Sequence, residues 1–250
     1  MREKFSRPGE VADIKKIEKG PQDVKLKIIG FKHRDIKTQV KSILDKAVSF
    51  PPEWDRVEQL ITGQQQLIIS QLPVGSPEFT KVQLKFNLTM PGSQIQRIER
   101  IQNRKLWKVF QNELDDVTLK NNNERAQLLD LFHGSSGTPP NCIYESEEGF
   151  NIVYSNDGMW GRANYFAVNS QYSNSYAFRV PGLEIRQMFL ASVIVGKYAK
   201  LNPDRTLREP PLNPSTGKKY DSVQGNTGGS DVYMVYSNKK AYPSYLITYK

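Results

Sequence analysis

Leu131-Phe132-His133-Gly134-Ser135 and, further on, Tyr165-Phe166-Ala167-Val168-Asn169-Ser170-Gln171-Tyr172-Ser173-Asn174-Ser175-Tyr176-Ala177-Phe178 bound the stretch around which this chain is organised. The first run reads as the end of an apolar strand that delivers a histidine, a glycine and a hydroxyl to a turn. The second sets three tyrosines among small polar residues. Tyrosine faces stack on flat rings while their hydroxyls reach polar edges. A neutral imidazole offers one donor and one acceptor, and a glycine lets a ligand approach the backbone. Together they suit a planar, polar ligand clasped between aromatic faces. Taken singly, His133 is a satisfied strand-end histidine, and Tyr165, Tyr172 and Tyr176 are each as readily core as ligand wall. It is their clustering that points to a pocket.

The rest of the chain bounds what that pocket can belong to. At 250 residues with 38% hydrophobic residues, the chain is long enough for one large domain, or one ordinary domain with an appendage. No apolar run approaches the roughly 20 residues that span a bilayer, and the N-terminus lacks the apolar centre of a signal peptide. A single cysteine, Cys142, excludes an intramolecular disulfide and a thiolate metal site, and favours a cytoplasmic or nuclear setting. Of the net charge of +9, residues 1–50 carry +6, with 13 Lys/Arg against 7 Asp/Glu. Such a basic segment is either a solvated face or a footprint for RNA.

Residues 1–22, charged and broken by Pro8, Gly9, Gly20 and Pro21, are expected to form a flexible basic leader. Residues 23–49 read as a small strand–helix element. Val24, Leu26 and Ile28 alternate with lysines, and Ile36, Val40, Leu44 and Val48 recur four apart behind a capping Asp35. This pair resembles half of a KH module, without the Gly-x-x-Gly loop that clamps nucleotides. Phe50-Pro51-Pro52-Glu53-Trp54 marks a boundary, and residues 50–250 read as the main domain.

Within it, Leu67 to Leu72 reads as a buried strand. Ser76-Pro77 opens a helix with Phe79, Val82 and Phe86 on one side. Ile95 to Ile101 fits neither period cleanly. Asn103 caps a helix that buries Leu106, Val109, Phe110, Leu114 and Val117, with Trp107 packed on the sheet. From Leu128 the pattern turns to strands: Leu128 to Phe132, Met188 to Val195, Val232 to Tyr236 and Tyr245 to Tyr249. Tyr242-Pro243 is expected in a connecting loop, and Leu201 to Gly229, rich in Pro, Asn and Gly, on the surface. The fold class is α+β with an antiparallel, β-rich half.

Several chemistries are excluded by what is missing. Two histidines and one cysteine make a zinc site improbable, and no metal is expected. There is no Gly-x-x-x-x-Gly-Lys loop, no Gly-x-Gly-x-x-Gly after a strand and no Gly-x-Ser-x-Gly. His133 and Ser135 do not form a base–nucleophile pair with an identifiable third member.

Three blocks then carry a resemblance: His133-Gly134-Ser135, Gly161-Arg162-Ala163-Asn164-Tyr165-Phe166-Ala167, and Val232-Tyr233-Met234-Val235-Tyr236. In this order they are similar to the blocks of the poly(ADP-ribose) polymerase (PARP) catalytic domain, most of all to the mono-ADP-ribosyltransferase members that accompany macrodomains. Ile98 to Asn103, Asn122 to Arg125, Asp221-Ser222-Val223, Ala241-Tyr242-Pro243 and Tyr245 to Thr248 extend the match over roughly Phe50 to Lys250.

The resemblance implies a split-sheet α+β domain that binds NAD as co-substrate and transfers ADP-ribose to a protein, itself included, or alternatively to a nucleic-acid acceptor, with release of nicotinamide. It implies a donor site built from His133, Gly134, Ser135, Tyr165, Phe166, Ala167, Tyr172, Ser173 and Tyr176. In it, His133 hydrogen-bonds the adenosine ribose, Gly134 and Ser173 hold the nicotinamide carboxamide, and Tyr165 and Tyr176 sandwich the nicotinamide ring. Tyr154 to Trp160 falls where the family has a loop over that site. Chain-extending members carry a glutamate where this chain has Val232, which cannot accept a hydrogen bond. Transfer of one unit is therefore implied, with His133, Tyr165 and Val232 as the positions that decide the chemistry. Ala163 stands for a common glycine and Ser135 for the usual threonine. The rival expectation is a catalytically weak or silent domain that binds RNA or protein, motivated by Ala163 and by the basic first 50 residues.

Overall fold

A computed structural model describes residues 12–19, 24–30, 50–61 and 63–250, and the chain divides into two units, residues 1–54 and 55–250. In the first, β1 (Ala12–Lys19) pairs antiparallel with β2 (Val24–Gly30). The flexible leader expected over residues 1–22 therefore contains a strand. Its pairing register slips between Lys16 and Glu18, as it does at a β-bulge, and a bulge interrupts the two-residue period by which a strand is read. The helix expected from Asp35 to Val48 lies outside the described residues, as do the side chains on which RNA contact through residues 1–50 would rest.

The second unit is built on a ten-stranded sheet. Its strands in chain order are β3 (Leu67–Gln71), β4 (Ile95–Asn103), β5 (Leu128–His133), β8 (Asn164–Ala167), β9 (Phe178–Arg179), β10 (Arg186–Ile194), β11 (Tyr198–Lys200), β12 (Ser222–Thr227), β13 (Ser230–Val235) and β14 (Ala241–Tyr249). The short hairpin β6 (Asp157–Gly158) and β7 (Gly161–Arg162) stands apart from it. The spatial order is β11-β12-β13-β8-β5-β10-β14-β4-β3, with β9 beside β10. All pairs are antiparallel except β11 with β12. The halves β11-β12-β13-β8 and β5-β10-β14-β4-β3 meet at one residue pair, Phe132 with Ala167, so the expected split sheet is present.

Strand alternation sorts the core into faces. Leu131, Phe166, Phe189, Tyr233, Val235 and Leu246 bury on one side of the sheet. Their strand neighbours Phe132, Met188, Leu190 and Ile247 bury on the other, beneath Phe79, Val82 and Phe86 of the helix Pro77–Asn87. That helix starts where Ser76 accepts the Phe79 N–H, with proline at its first turn. Ile95–Asn103 defies a simple period because Arg100 is buried and ion-paired to Glu78 (2.6 Å) and Asp55 (2.9 Å), so a charged residue occupies an interior position.

Two expectations are corrected. Tyr242-Pro243 lies inside β14 rather than in a loop. Proline donates no hydrogen bond, and the β10–β14 register slips between Leu190 and Ser192 as the chain passes it. Leu201 to Gly229 is not surface throughout: Ser222, Val223, Gln224 and Gly225 of β12 are buried. Asp221 anchors that strand by accepting from Lys120 Nζ (2.6 Å), Asn121 Nδ2 (2.8 Å) and the Lys197 N–H (2.8 Å). Burial pushes its carboxyl up, and these bonds hold it below the usual range.

Asn103 ends β4 and caps the helix Arg104–Lys120, accepting from the Leu106 N–H at 3.0 Å while its amide donates to the Tyr144 carbonyl at 2.9 Å. Asn103→Ala should cost about 1–2 kcal/mol, the usual loss of an N-cap, and Asn103→Asp, which keeps the cap, should recover about half; urea unfolding of the three proteins measures both.

Candidate functional site

The cleft opens where the two half-sheets part. Past the single Phe132–Ala167 pair, β5 and β8 diverge, and the gap is bridged by His133 Nδ1 and the Tyr165 carbonyl, 2.8 Å apart. A carbonyl oxygen only accepts, so Nδ1 carries the proton and Nε2 is left as an acceptor. The His133 ring is fixed between Phe150 (centroids 4.9 Å apart) and Phe166 (5.1 Å). This apolar setting disfavours the imidazolium and lowers the His133 pKa, outweighing the Tyr165 carbonyl, which favours the charged form.

A cavity of ≈ 450 Å³ occupies the gap, a volume suited to a nucleotide-sized ligand. It brings together eight of the nominated residues: His133, Gly134, Ser135, Tyr165, Ala167, Tyr172, Ser173 and Tyr176. Gly134 continues from the end of β5 against the helix Ser170–Asn174, and a side chain there would run into the backbone of Ser173 and Tyr176. Tyr176, half exposed, has its ring 5.5 Å from that of Tyr172, and burial and the Tyr176 hydroxyl both raise the Tyr172 pKa. Ser135 turns its hydroxyl to the Thr138 carbonyl (2.9 Å).

Tyr165 is tied at both ends. Its backbone carbonyl takes the His133 bond, and its hydroxyl accepts from the Trp160 N–H (2.9 Å) while donating to the Gly161 carbonyl (2.7 Å). Burial raises its pKa, the Trp160 N–H opposes this, Asp157 raises it and Arg205 lowers it. Trp160 is held three further ways: Nε1 donates to the Leu201 carbonyl (3.0 Å), its own carbonyl accepts from the Tyr236 hydroxyl (2.7 Å), and its ring lies over Gly225. The segment Tyr154 to Trp160 thus forms one wall of the cleft.

Two nominated residues lie elsewhere. Phe166 points to the opposite face from Tyr165 and Ala167, as alternation along β8 requires, and meets the site only through the back of the His133 ring. Val232 shares the cleft's face of the sheet but is fully buried, packed with Trp160, Ala163, Ala167, Val223 and Met234. Ala163 sits in the same cluster without a left-handed backbone, so alanine in place of glycine carries no dihedral penalty. Sequence reasoning missed Asn151, Asn164, Cys142 and Arg205, all of which line the cavity. Asn164 falls inside the second quoted block and donates to the Phe150 carbonyl at 2.8 Å. Arg205 lies in the segment read as surface, where nothing but its charge could single it out. Among the described residues no group of three or more His, Cys, Asp or Glu is placed to hold a metal ion.

A base whose folded-state pKa is depressed binds fewer protons folded than unfolded, so its contribution is complete above the usual pKa of about 6.5 and is lost as pH falls toward the folded value. The protein should lose stability between about pH 7 and about pH 5, and His133→Gln, which has no titrating group there, should lose less over the same window; urea midpoints at the two pH values compare them.

Residues 76–227 match the family described as the poly(ADP-ribose) polymerase catalytic domain. A probable poly [ADP-ribose] polymerase of Dictyostelium discoideum is 36% identical over 210 residues, 80% of this chain and 57% of that protein. The human protein mono-ADP-ribosyltransferase PARP14 is 31% identical over 84% of this chain and 11% of its own length, and human PARP12, also named a protein mono-ADP-ribosyltransferase, 28% over 80% and 28%. The chain therefore spans little more than half of the first of these relatives and a smaller share of the others. It belongs to the poly(ADP-ribose) polymerase catalytic-domain family, the family of PARP-type ADP-ribosyltransferases.

Proposed function

We propose that this chain transfers a single ADP-ribose unit from NAD to a protein acceptor and releases nicotinamide. The observation that carries the reading is the arrangement around the strand gap, with His133 Nε2 free to accept, Gly134 pressed against Ser173, and Tyr165 and Tyr176 on one cavity. His133 Nε2 accepts from a hydroxyl of the adenosine ribose and orients the dinucleotide. The backbone of Gly134 and the Ser173 hydroxyl bind the nicotinamide carboxamide, and the rings of Tyr165 and Tyr176 flank the nicotinamide. Tyr172 supports Tyr176.

The bond between ribose C1′ and the nicotinamide nitrogen breaks, and its electron pair neutralises the pyridinium. The acceptor's nucleophile forms the new bond to C1′ and gives up its proton to solvent. The leaving group is a good one, so positioning and preorganised dipoles are what the protein has to contribute. Val232 offers no acceptor for a ribose hydroxyl, which supports one unit rather than a chain.

Incubation with labelled NAD should label the protein or an added acceptor and release nicotinamide in equal amount; absence of both would refute the proposal. Phosphodiesterase digestion of the product should give AMP alone, whereas phosphoribosyl-AMP would show chain growth. His133→Ala should lower the rate at least about a hundredfold, the loss expected when a reacting group is misplaced by about an ångström.

A further inference from the structure

We propose that Arg205 binds the diphosphate of NAD; this rests on the donor-site reading above. Among the described residues that line the cleft Arg205 is the only lysine or arginine, and Asp157 the only carboxylate. Asp157 is already engaged by Arg208 (Nη2 to Oδ2, 3.5 Å), whereas Arg205 has no carboxylate partner among the described residues. A diphosphate brings about two negative charges into a cleft whose other lining residues, Asp157 and the titratable His133 aside, are aromatic or uncharged, and one guanidinium is there to meet them. Arginine suits the task, because its planar fork donates two parallel hydrogen bonds to phosphate oxygens.

The turn that carries Arg205 is built rather than loose. Asp204 Oδ1 accepts from the Thr206 N–H (2.9 Å) and hydroxyl (2.6 Å). Arg208 Nη1 donates to the carbonyls of Arg205 (2.9 Å) and Leu207 (2.8 Å), closing the turn on itself. The turn packs against the cleft wall at Gly161, whose positive φ of 72° suits glycine and where any side chain would collide with the Leu207 carbonyl. The Gly161 carbonyl in turn accepts from the Tyr165 hydroxyl (2.7 Å), which places the turn at the Tyr165 end of the cleft, and Arg205 also lowers the Tyr165 pKa. In NAD the nearer phosphate is bonded to the ribose whose C1′ reacts, so an anion is due at that end.

Calorimetric titration of the full chain with NAD, ADP-ribose and benzamide separates the possibilities. Benzamide carries the carboxamide and ring but no phosphate. Arg205→Ala should weaken ADP-ribose and NAD about tenfold, the size of one charge-assisted contact, and should leave benzamide unchanged. The slope of log affinity against log salt should become shallower. With NAD in turnover, KM should rise about tenfold while kcat moves less than about twofold, and Arg205→Lys should restore part of the loss. Equal weakening of benzamide and ADP-ribose would make Arg205 structural and overturn the assignment. Unchanged ADP-ribose binding with loss of transfer to an acidic acceptor would overturn it in favour of the acceptor side. If the unmutated chain binds benzamide, NAD and ADP-ribose not at all, the donor-site reading itself falls.

Discussion

The bond between His133 Nδ1 and the Tyr165 carbonyl is the constraint on which the site depends. Two half-sheets share one residue pair, Phe132 with Ala167, and would part freely beyond it. The imidazole spans that gap with a protein-to-protein hydrogen bond where the ladder can no longer supply one. This one bond satisfies the Tyr165 carbonyl, fixes the tautomer of the histidine and leaves Nε2 as an acceptor. The aromatic pair Phe150 and Phe166 behind the ring keeps it neutral. A charged imidazolium would have no acceptor nitrogen left.

The walls of the cleft are tied to the core as firmly as the strands are. Tyr165 reaches from β8 to the β6–β7 hairpin through its hydroxyl, and Tyr236, just past β13, reaches the same hairpin through Trp160. The segment after β11 closes the circuit through the Leu201 carbonyl. The tyrosine that lines the cleft is thus also the one that fixes the neighbouring wall, and a substitution at Tyr165 cannot be confined to one role. Val232 shows the opposite arrangement. It shares the cleft's face of the sheet, yet it is fully buried, packed with Trp160 and Ala163.

Much of the frame was readable from periodicity. Phe79, Val82 and Phe86, the Ser76 and Asn103 caps, and the apolar β10 all lie where their patterns require. The failures share a cause, which is that pairing partners far along the chain override local pattern. The register of β1 slips between Lys16 and Glu18, Arg100 is buried because Glu78 and Asp55 come to it, Pro243 sits in a strand where the register slips, and β12 looks polar because Ser222 and Gln224 are buried on account of their neighbours. For the site, clustering of tyrosines near a His-Gly pair reached only a pocket for a flat ligand. The quoted blocks supplied the family, and Arg205 lies outside all three of them.

Trp160 has a consequence for observing this molecule in solution. Of the three tryptophans in the chain it alone lines the cleft. Its indole is 1% exposed, with Nε1 bonded to a carbonyl and the ring lying over Gly225. Such an indole emits toward the blue and responds to any rearrangement of the wall it belongs to. The protein therefore carries a native fluorescent reporter in the wall of its own cleft, with no added dye and no change of sequence.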